Sequence, residues 1–236
     1  MNDEPTPVRG APAAEVRAMF ARIAPTYDLL NGVLSARRDR SWRRLAAASI
    51  DPSARRILDL CSGTGDLALE LATRHPQAFV CAGDFCFEML QRGRPKGLHR
   101  AAAPATLDGL RLPFRDGTFD AVTAAFGVRN FEDLEAGLRE MRRVTRSGGQ
   151  VAILEFFRSE SAWRDRPFQV YFRHVLPRVG RLVSGDAGAY SYLPRSVGRF
   201  ATRQQFTTLL ERTGYTAIEP RNLSLGIATL FVARAR

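Results

Sequence analysis

The run Leu58-Asp59-Leu60-Cys61-Ser62-Gly63-Thr64-Gly65-Asp66 constrains the fold of this chain more than any other stretch. Arg56 to Leu60 is short and apolar, lies between Pro52 and Gly63, and reads as a buried strand. Asp66 to Ala72 reads as a helix with an acid near its start. A strand, a glycine turn and a helix in succession open a βαβ unit. Glycine suits such a turn because the backbone bends tightly there and can meet a ligand with no Cβ in the way.

The alternation continues. Phe79 to Asp84 reads as a strand and Glu88 to Arg92 begins a helix; Phe119 to Phe126 is strand-like. Leu134 to Val144 places Leu134, Leu138 and Met141 on one helical face, and Gln150 to Phe156 is a strand entered through Ser147-Gly148-Gly149. Strands alternating with helices predict an α/β fold with a mostly parallel sheet covered on both faces. Before the first strand, Val16, Met19, Phe20 and Ile23 recur at helical spacing up to Pro25. A second helical stretch runs from Tyr27 through Leu34, and a third carries Trp42 and Leu45. Near the end, Thr202-Arg203-Gln204-Gln205 fits a capping box opening a helix with Phe206, Leu209 and Leu210. Two strands follow, near Thr216 to Pro220 and Gly226 to Ala233.

This organisation predicts one domain over 13–236, with N-terminal helices at 13–50. From Arg158 to Phe200 the alternation stops, and the segment is rich in Arg, aromatic residues and Gly. It is expected to be a substrate-facing insertion (158–200). Met1 to Pro12 is polar, lacks the basic-then-apolar order of a secretory signal, and is expected to be a disordered tail.

Open parallel sheets bind ligands beyond the carboxyl ends of their strands. Gly63-Thr64-Gly65 is followed by Asp66-Leu67-Ala68, so the third glycine of a dinucleotide fingerprint is missing. Asp59 and Asp66 bracket the loop. They would repel a pyrophosphate and suit a ligand carrying ammonium and sulfonium charges. Asp84 ends the second strand, where a carboxylate can accept two ribose hydroxyls. Asp108-Gly109, ahead of Leu112-Pro113-Phe114, can accept from an adenine amino group and offer a backbone N–H to a ring nitrogen. Taken singly, Asp84 and Asp108 read more readily as acids of surface turns; in order behind a glycine loop they read as a site.

The net charge of +11 attracts polyanions, either nucleic acid or anionic lipid headgroups, and equally describes an arginine-rich solvated surface. There is no run of 18 or more apolar residues, so a spanning helix is excluded. Cys61, Cys81 and Cys86 are too few for a disulfide framework. With no Cys-x-x-Cys pair and scattered histidines, no metal site is expected. A reducing cytoplasm fits. No Asn/Asp-Pro-Pro-aromatic run, no Pro-Cys pair and no RNA-binding module is present, so a nucleic-acid partner is not expected.

Through Ile57 to Gly65 and the acids that follow, the chain resembles the class I S-adenosylmethionine-dependent methyltransferases. Further motifs narrow the resemblance to the ubiquinone/menaquinone biosynthesis C-methyltransferases. They are Phe20-x-x-Ile23-Ala24-x-x-Tyr27-Asp28-x-x-Asn31, Phe126-Gly127-Val128-Arg129-Asn130, Leu154-Glu155-Phe156, His174-Val175-Leu176-Pro177-Arg178-Val179-Gly180 and Asp186-x-x-x-Tyr190-x-Tyr192-Leu193. The resemblance implies a Rossmann-like, mostly parallel seven-stranded sheet with an antiparallel last strand. It also implies S-adenosyl-L-methionine as cofactor and a prenylated quinol as substrate, on the pathway to menaquinone or ubiquinone. Thr64, Asp84, Asp108 and Gly109 occupy its cofactor-contacting positions, and Asp59, Gly63, Gly65 and Ala125 complete the expected set. Three positions depart from the family: Ala125 stands where Ser is frequent, Gly185 where Asn is usual, and Phe231 where His is frequent.

A ring carbon becomes nucleophilic when the neighbouring hydroxyl loses its proton, and a phenol with pKa of about 10 needs help to do so. Arg129 follows a strand end and is expected to point into the cleft and stabilise the phenolate; it reads alternatively as the partner of a helix carboxylate. His174 suits a general base, although beside Val175-Leu176 it also reads as a packing residue. Asp186 and Tyr190, at i and i+4, are expected to line the quinol pocket. Glu155 is expected to anchor an inserted helix. The segment from Trp163 to Leu193 is expected to hold the isoprenoid entry, with an apolar face and basic rim that suit peripheral contact with an anionic membrane. A homodimer is compatible with the sequence. The rival readings are a class I methyltransferase acting on another small molecule or on RNA, and a non-catalytic cofactor-binding homologue, the last motivated by Ala125 and Gly185.

Overall fold

A computed structural model describes residues 10–35, 37–158 and 187–236. Its seven strands are β1 (Arg56–Leu60), β2 (Phe79–Asp84), β3 (Ala103–Thr106), β4 (Phe119–Ala125), β5 (Thr145–Glu155), β6 (Tyr215–Leu223) and β7 (Ala228–Ala235). They form one sheet in the order β3-β2-β1-β4-β5-β7-β6. The first five pair in parallel, and β7 runs antiparallel to both β5 and β6. The strand order reverses between β1 and β4, the point at which a doubly wound sheet opens a crevice.

Strands buried on both faces read as continuous apolar runs. Leu58 and Leu60 face one core, with Phe119, Leu138, Met141 and Phe206; Ile57 faces the other, with Trp42, Leu67, Leu71 and Leu230. The first core is closed by α7 (Leu134–Val144) and α9 (Arg203–Arg212). The second is closed by α3 (Arg38–Ala48) and α4 (Asp66–Arg74). Each fully buried Leu or Met contributes roughly 1.5–3 kcal/mol. The caps follow the sequence. Asp133 accepts the Ala136 N–H at the start of α7, and Thr202 with Gln205 forms the reciprocal box of α9. The N-terminal section holds α1 (Ala13–Ile23) and α2 (Tyr27–Leu34), and the remaining helices are α5 (Phe87–Gly93), α6 (Leu98–Ala101) and α8 (Ala187–Arg199).

Several details differ from the sequence reading. β3 has only four residues, carries Pro104 and forms an edge, where a missing N–H is tolerated. β5 starts at Thr145 rather than Gln150, and its pairing with β4 shifts register between Phe119 and Ala121. Within the expected tail, the Gly10 N–H donates to the Phe131 and Glu132 carbonyls, so the chain is fastened there. On α3, Trp42 is buried but Leu45 is half exposed. In the expected insertion, residues 187–199 form α8 with Pro194 inside it. Residues 159–186, which include His174 and Asp186, lie outside the described residues.

Candidate cofactor and substrate site

At the carboxyl end of β1 the chain turns through Cys61, Gly63 and Gly65, all at positive φ. A Cβ on Gly65 would lie 2.5 Å from the Leu98 side chain, so the loop seats against α6 only with glycine there. The Ser62 N–H donates to the Gly83 carbonyl (3.0 Å), and the Gly63 N–H donates to Asp84 Oδ2 (2.8 Å). These bonds tie the loop to the end of β2 and aim the Asp84 carboxylate into the crevice.

Two adjoining cavities open at this edge. The larger, about 710 Å³ including space open to solvent, is walled by Asp84, Asp108, Gly109, Phe131 and Asn130 and covered by Phe20 and Tyr27. The smaller, about 290 Å³, is walled by Asp59, Ser62, Thr64, Asp66 and Arg43. Tyr27, Cys61, Gly63 and Ala125 border both.

In the larger cavity, burial pushes the Asp84 carboxyl up to about 6, against the opposing pull of backbone N–H groups from Cys86, Gly63 and Phe85. Asp108 Oδ1 accepts the Leu110 N–H (2.9 Å), which fixes the turn that presents Gly109. A Cβ on Gly109 would meet the Phe131 ring at 2.8 Å, so the glycine lets an aromatic wall close over the turn. Sequence reasoning missed Phe131; its one signal is an aromatic directly after Arg129-Asn130.

The smaller cavity is polar. Asp59 is raised to about 7 by burial, opposed by the Ser62 and Thr123 hydroxyls that donate to it (2.7 and 2.9 Å). Arg43 faces these acids from α3, with its guanidinium on Asp39 and 5.4 Å from the centre of the Phe126 ring. It too was missed, because nothing in a helix containing three other arginines marks one as buried. Thr64 is at this cavity, but its hydroxyl donates to Asp28 Oδ1 (2.6 Å). Lys96 Nζ joins the same group, donating to Asp28 (2.9 Å), Thr64 (2.7 Å) and Asp66 (2.6 Å). The glycine loop is thereby latched to α2.

Arg129 does not point into the cleft. Its guanidinium donates to Glu155 Oε1 (2.8 Å) and to the Phe126 carbonyl, and it is not among the residues lining either cavity. The reason is that Glu155 has no exposed surface, and a buried carboxylate requires a paired cation. Glu155 anchors this turn, and burial still raises its carboxyl above the ordinary range. Asn130, the next residue, does reach the cavity wall, where Oδ1 accepts from the Tyr192 hydroxyl of α8 (2.8 Å). The backbone of Tyr190 lies in α8, and its side chain is outside the described residues.

The arrangement has acids at one end of a crevice, a cation among acids at the other, and an aromatic wall beside Asp108. The profile of the ubiE/COQ5 methyltransferase family matches residues 9–234. The chain belongs to that family. Two relatives named demethylmenaquinone methyltransferase are similar over nearly the whole chain. One, from Deinococcus radiodurans, is 47% identical over 224 residues, covering 94% of this chain and 92% of the relative. The other, from Thermus thermophilus, is 44% identical over 217 residues, covering 91% and 98%. A ubiquinone/menaquinone biosynthesis C-methyltransferase from Geotalea daltonii is 41% identical over 227 residues, covering 92% and 94%.

Among solved structures, the fold is similar to the [4+2]-cyclase SpnF (TM-score 0.72, 16% identity, 98% and 99% of the chains covered). It is also similar to the CurJ carbon methyltransferase (TM-score 0.60, 18% identity, 94% and 69% covered). At those identities the likeness shows the fold alone, and a fold shared by a cyclase and a methyltransferase does not fix chemistry. Family membership makes this chain a methyltransferase. No described helix is long and apolar enough to cross a membrane.

Proposed function

We propose that this protein methylates a ring carbon of a prenylated quinol, demethylmenaquinol above all, with S-adenosylmethionine as donor. The observation that carries the proposal is the division of the crevice into two chemically distinct cavities joined at Tyr27, Gly63 and Ala125. The residues present fit an adenosine at one end and a zwitterionic amino acid at the other. Asp84 is the acceptor for ribose hydroxyls, and Asp108 with the Gly109 backbone faces an adenine edge against Phe131. Asp59 serves an ammonium group, and Arg43 is the cation available to a carboxylate. Ala125 supplies backbone and a methyl where the family frequently has a hydroxyl. When bound, S-adenosylmethionine supplies an electrophilic methyl group.

The protein's part is to orient, to exclude water and to hold the ring. Tyr27 and Phe20 cover the crevice, and the Lys96 latch fixes α2 in that position. Arg129 spends its charge on Glu155, so its part in this reading is to hold Asn130 and the Phe126 turn at the ring side. The ring side itself is assigned to Asp186 and Tyr190, with His174 as the base that takes the hydroxyl proton. The names of the Deinococcus and Thermus relatives favour the naphthoquinol ring. The test is mass spectrometry of the quinone pool in cells lacking this protein. A menaquinone species lighter by one methylene supports the proposal, and an unchanged pool contradicts it.

A further inference from the structure

The sheet edge that carries the crevice also carries the β6–β7 turn. In the β5–β7 register Glu155 pairs with Thr229, so Ser224 to Ile227 stands directly beyond the carboxyl end of β5. The Trp42 indole N–H donates to the Ser224 hydroxyl (3.0 Å), which holds that turn against α3. At its tip, Leu225 sits at φ 61 with its side chain fully exposed. A γ-branched apolar residue held in the left-handed region and presented to solvent is costly on both counts. The same helix α3 packs against α2, which exposes Leu29 and Val33, one helical turn apart. Between α2 and the body of α3 stand Arg37, Arg38 and Arg40, all exposed. Three cations at a helix N-terminus oppose its macrodipole, a local cost that nearby anions reverse. Phe79, another exposed apolar residue, opens β2 at the opposite edge and is not part of this face.

We propose that Leu29, Val33 and Leu225, with Arg37, Arg38 and Arg40, form a docking face for a bilayer carrying anionic headgroups. The apolar side chains enter the headgroup region and the arginines meet phosphates. The net charge of +11 supplies long-range attraction toward such a surface. This rests on the quinol reading to the extent that a prenylated substrate resides in the bilayer. The face shares its edge with the crevice, so docking would set the crevice opening against the membrane.

The test is flotation of the full chain with phosphatidylcholine vesicles, with and without phosphatidylglycerol, at low and high salt. The expected result is binding to the anionic vesicles only, weakened by salt. Each arginine near an anionic surface is worth roughly fivefold in partitioning, so R37Q/R38Q/R40Q should lose on the order of a hundredfold. L225N changes no charge and suits a left-handed backbone, so it leaves the fold intact and should also lower partitioning severalfold. Equal binding to neutral and anionic vesicles, or wild-type partitioning by both variants, overturns the proposal. So does a dimer in solution that L225N dissociates, because the face would then meet a second copy. Methyl transfer to a short-chain, water-soluble quinol needs no vesicle. Its absence, with vesicle binding retained, would sink the quinol reading and leave the docking face standing.

Discussion

Gly63 and Asp84 are joined by a 2.8 Å hydrogen bond from backbone N–H to carboxylate, which locks the glycine loop to the end of β2. Only one oxygen edge of Asp84 is taken up by Gly63; the other meets the Cys86 N–H at 2.8 Å, and the carboxylate still borders the larger cavity. One side chain thus shapes the loop and lines the crevice.

The proposed ribose contact at Asp84 predicts a defined pH dependence of cofactor affinity. Its folded pKa is raised to about 6 by burial. Folding therefore favours the protonated form, and the cost of ionising it enters as pH rises from the unfolded value of about 4 to about 6. Ribose hydroxyls bind the ionised form, so affinity for S-adenosylhomocysteine should be full above pH 6 and fall below it. Asp84→Asn should weaken binding roughly 10- to 100-fold and flatten that slope. Calorimetric titrations across this range check both.

Arg43 should act on the amino-acid end alone. Arg43→Lys keeps a cation beside Asp39 but loses the planar fork that suits a carboxylate. S-adenosylhomocysteine affinity should fall about tenfold, while 5′-methylthioadenosine, which lacks that end, binds as before. Equal losses for both ligands would make Arg43 a purely structural residue.

Arg129 should matter first for stability. Its side chain and that of Glu155 are both buried, at 7% and 0% exposure. Arg129→Met leaves the carboxyl unpaired and should destabilise by about 3–5 kcal/mol, with most of the loss recovered in Arg129→Met/Glu155→Gln. Urea unfolding of the three variants, Glu155→Gln included, gives the coupling directly.

The latch between α2 and the glycine loop predicts a smaller effect. Lys96 is about a quarter exposed, so its pairs with Asp28 and Asp66 are screened. Lys96→Met should cost on the order of 1 kcal/mol or less. Hydrogen exchange in Tyr27–Leu34 should nevertheless speed up, because Thr64 alone would then hold Asp28.

Much of the fold was legible because alternating apolar runs and glycine turns are local signals. The strand ends at Leu60, Asp84 and Ala125 put the acids at one edge, as their order implied. β3 escaped notice because four residues containing Pro104 carry no strand pattern of their own. Arg43 was overlooked and Arg129 was expected in the cleft for a shared reason. Whether an arginine faces solvent, cleft or a buried carboxylate depends on a partner set by packing; Glu155 is 26 residues from Arg129. Thr64 was placed correctly in the loop, but its hydroxyl partner, Asp28, comes from a helix outside the alternating pattern.

The central claim is that this crevice delivers a methyl group to carbon on a quinol ring. The most direct measurement is transfer from methyl-labelled S-adenosylmethionine to short-chain demethylmenaquinol, with the product located by mass spectrometry and NMR. One label per ring, on carbon, is expected, and its loss in Asp84→Asn at sub-saturating cofactor. A ring without label, or label on oxygen as an ether, would contradict it.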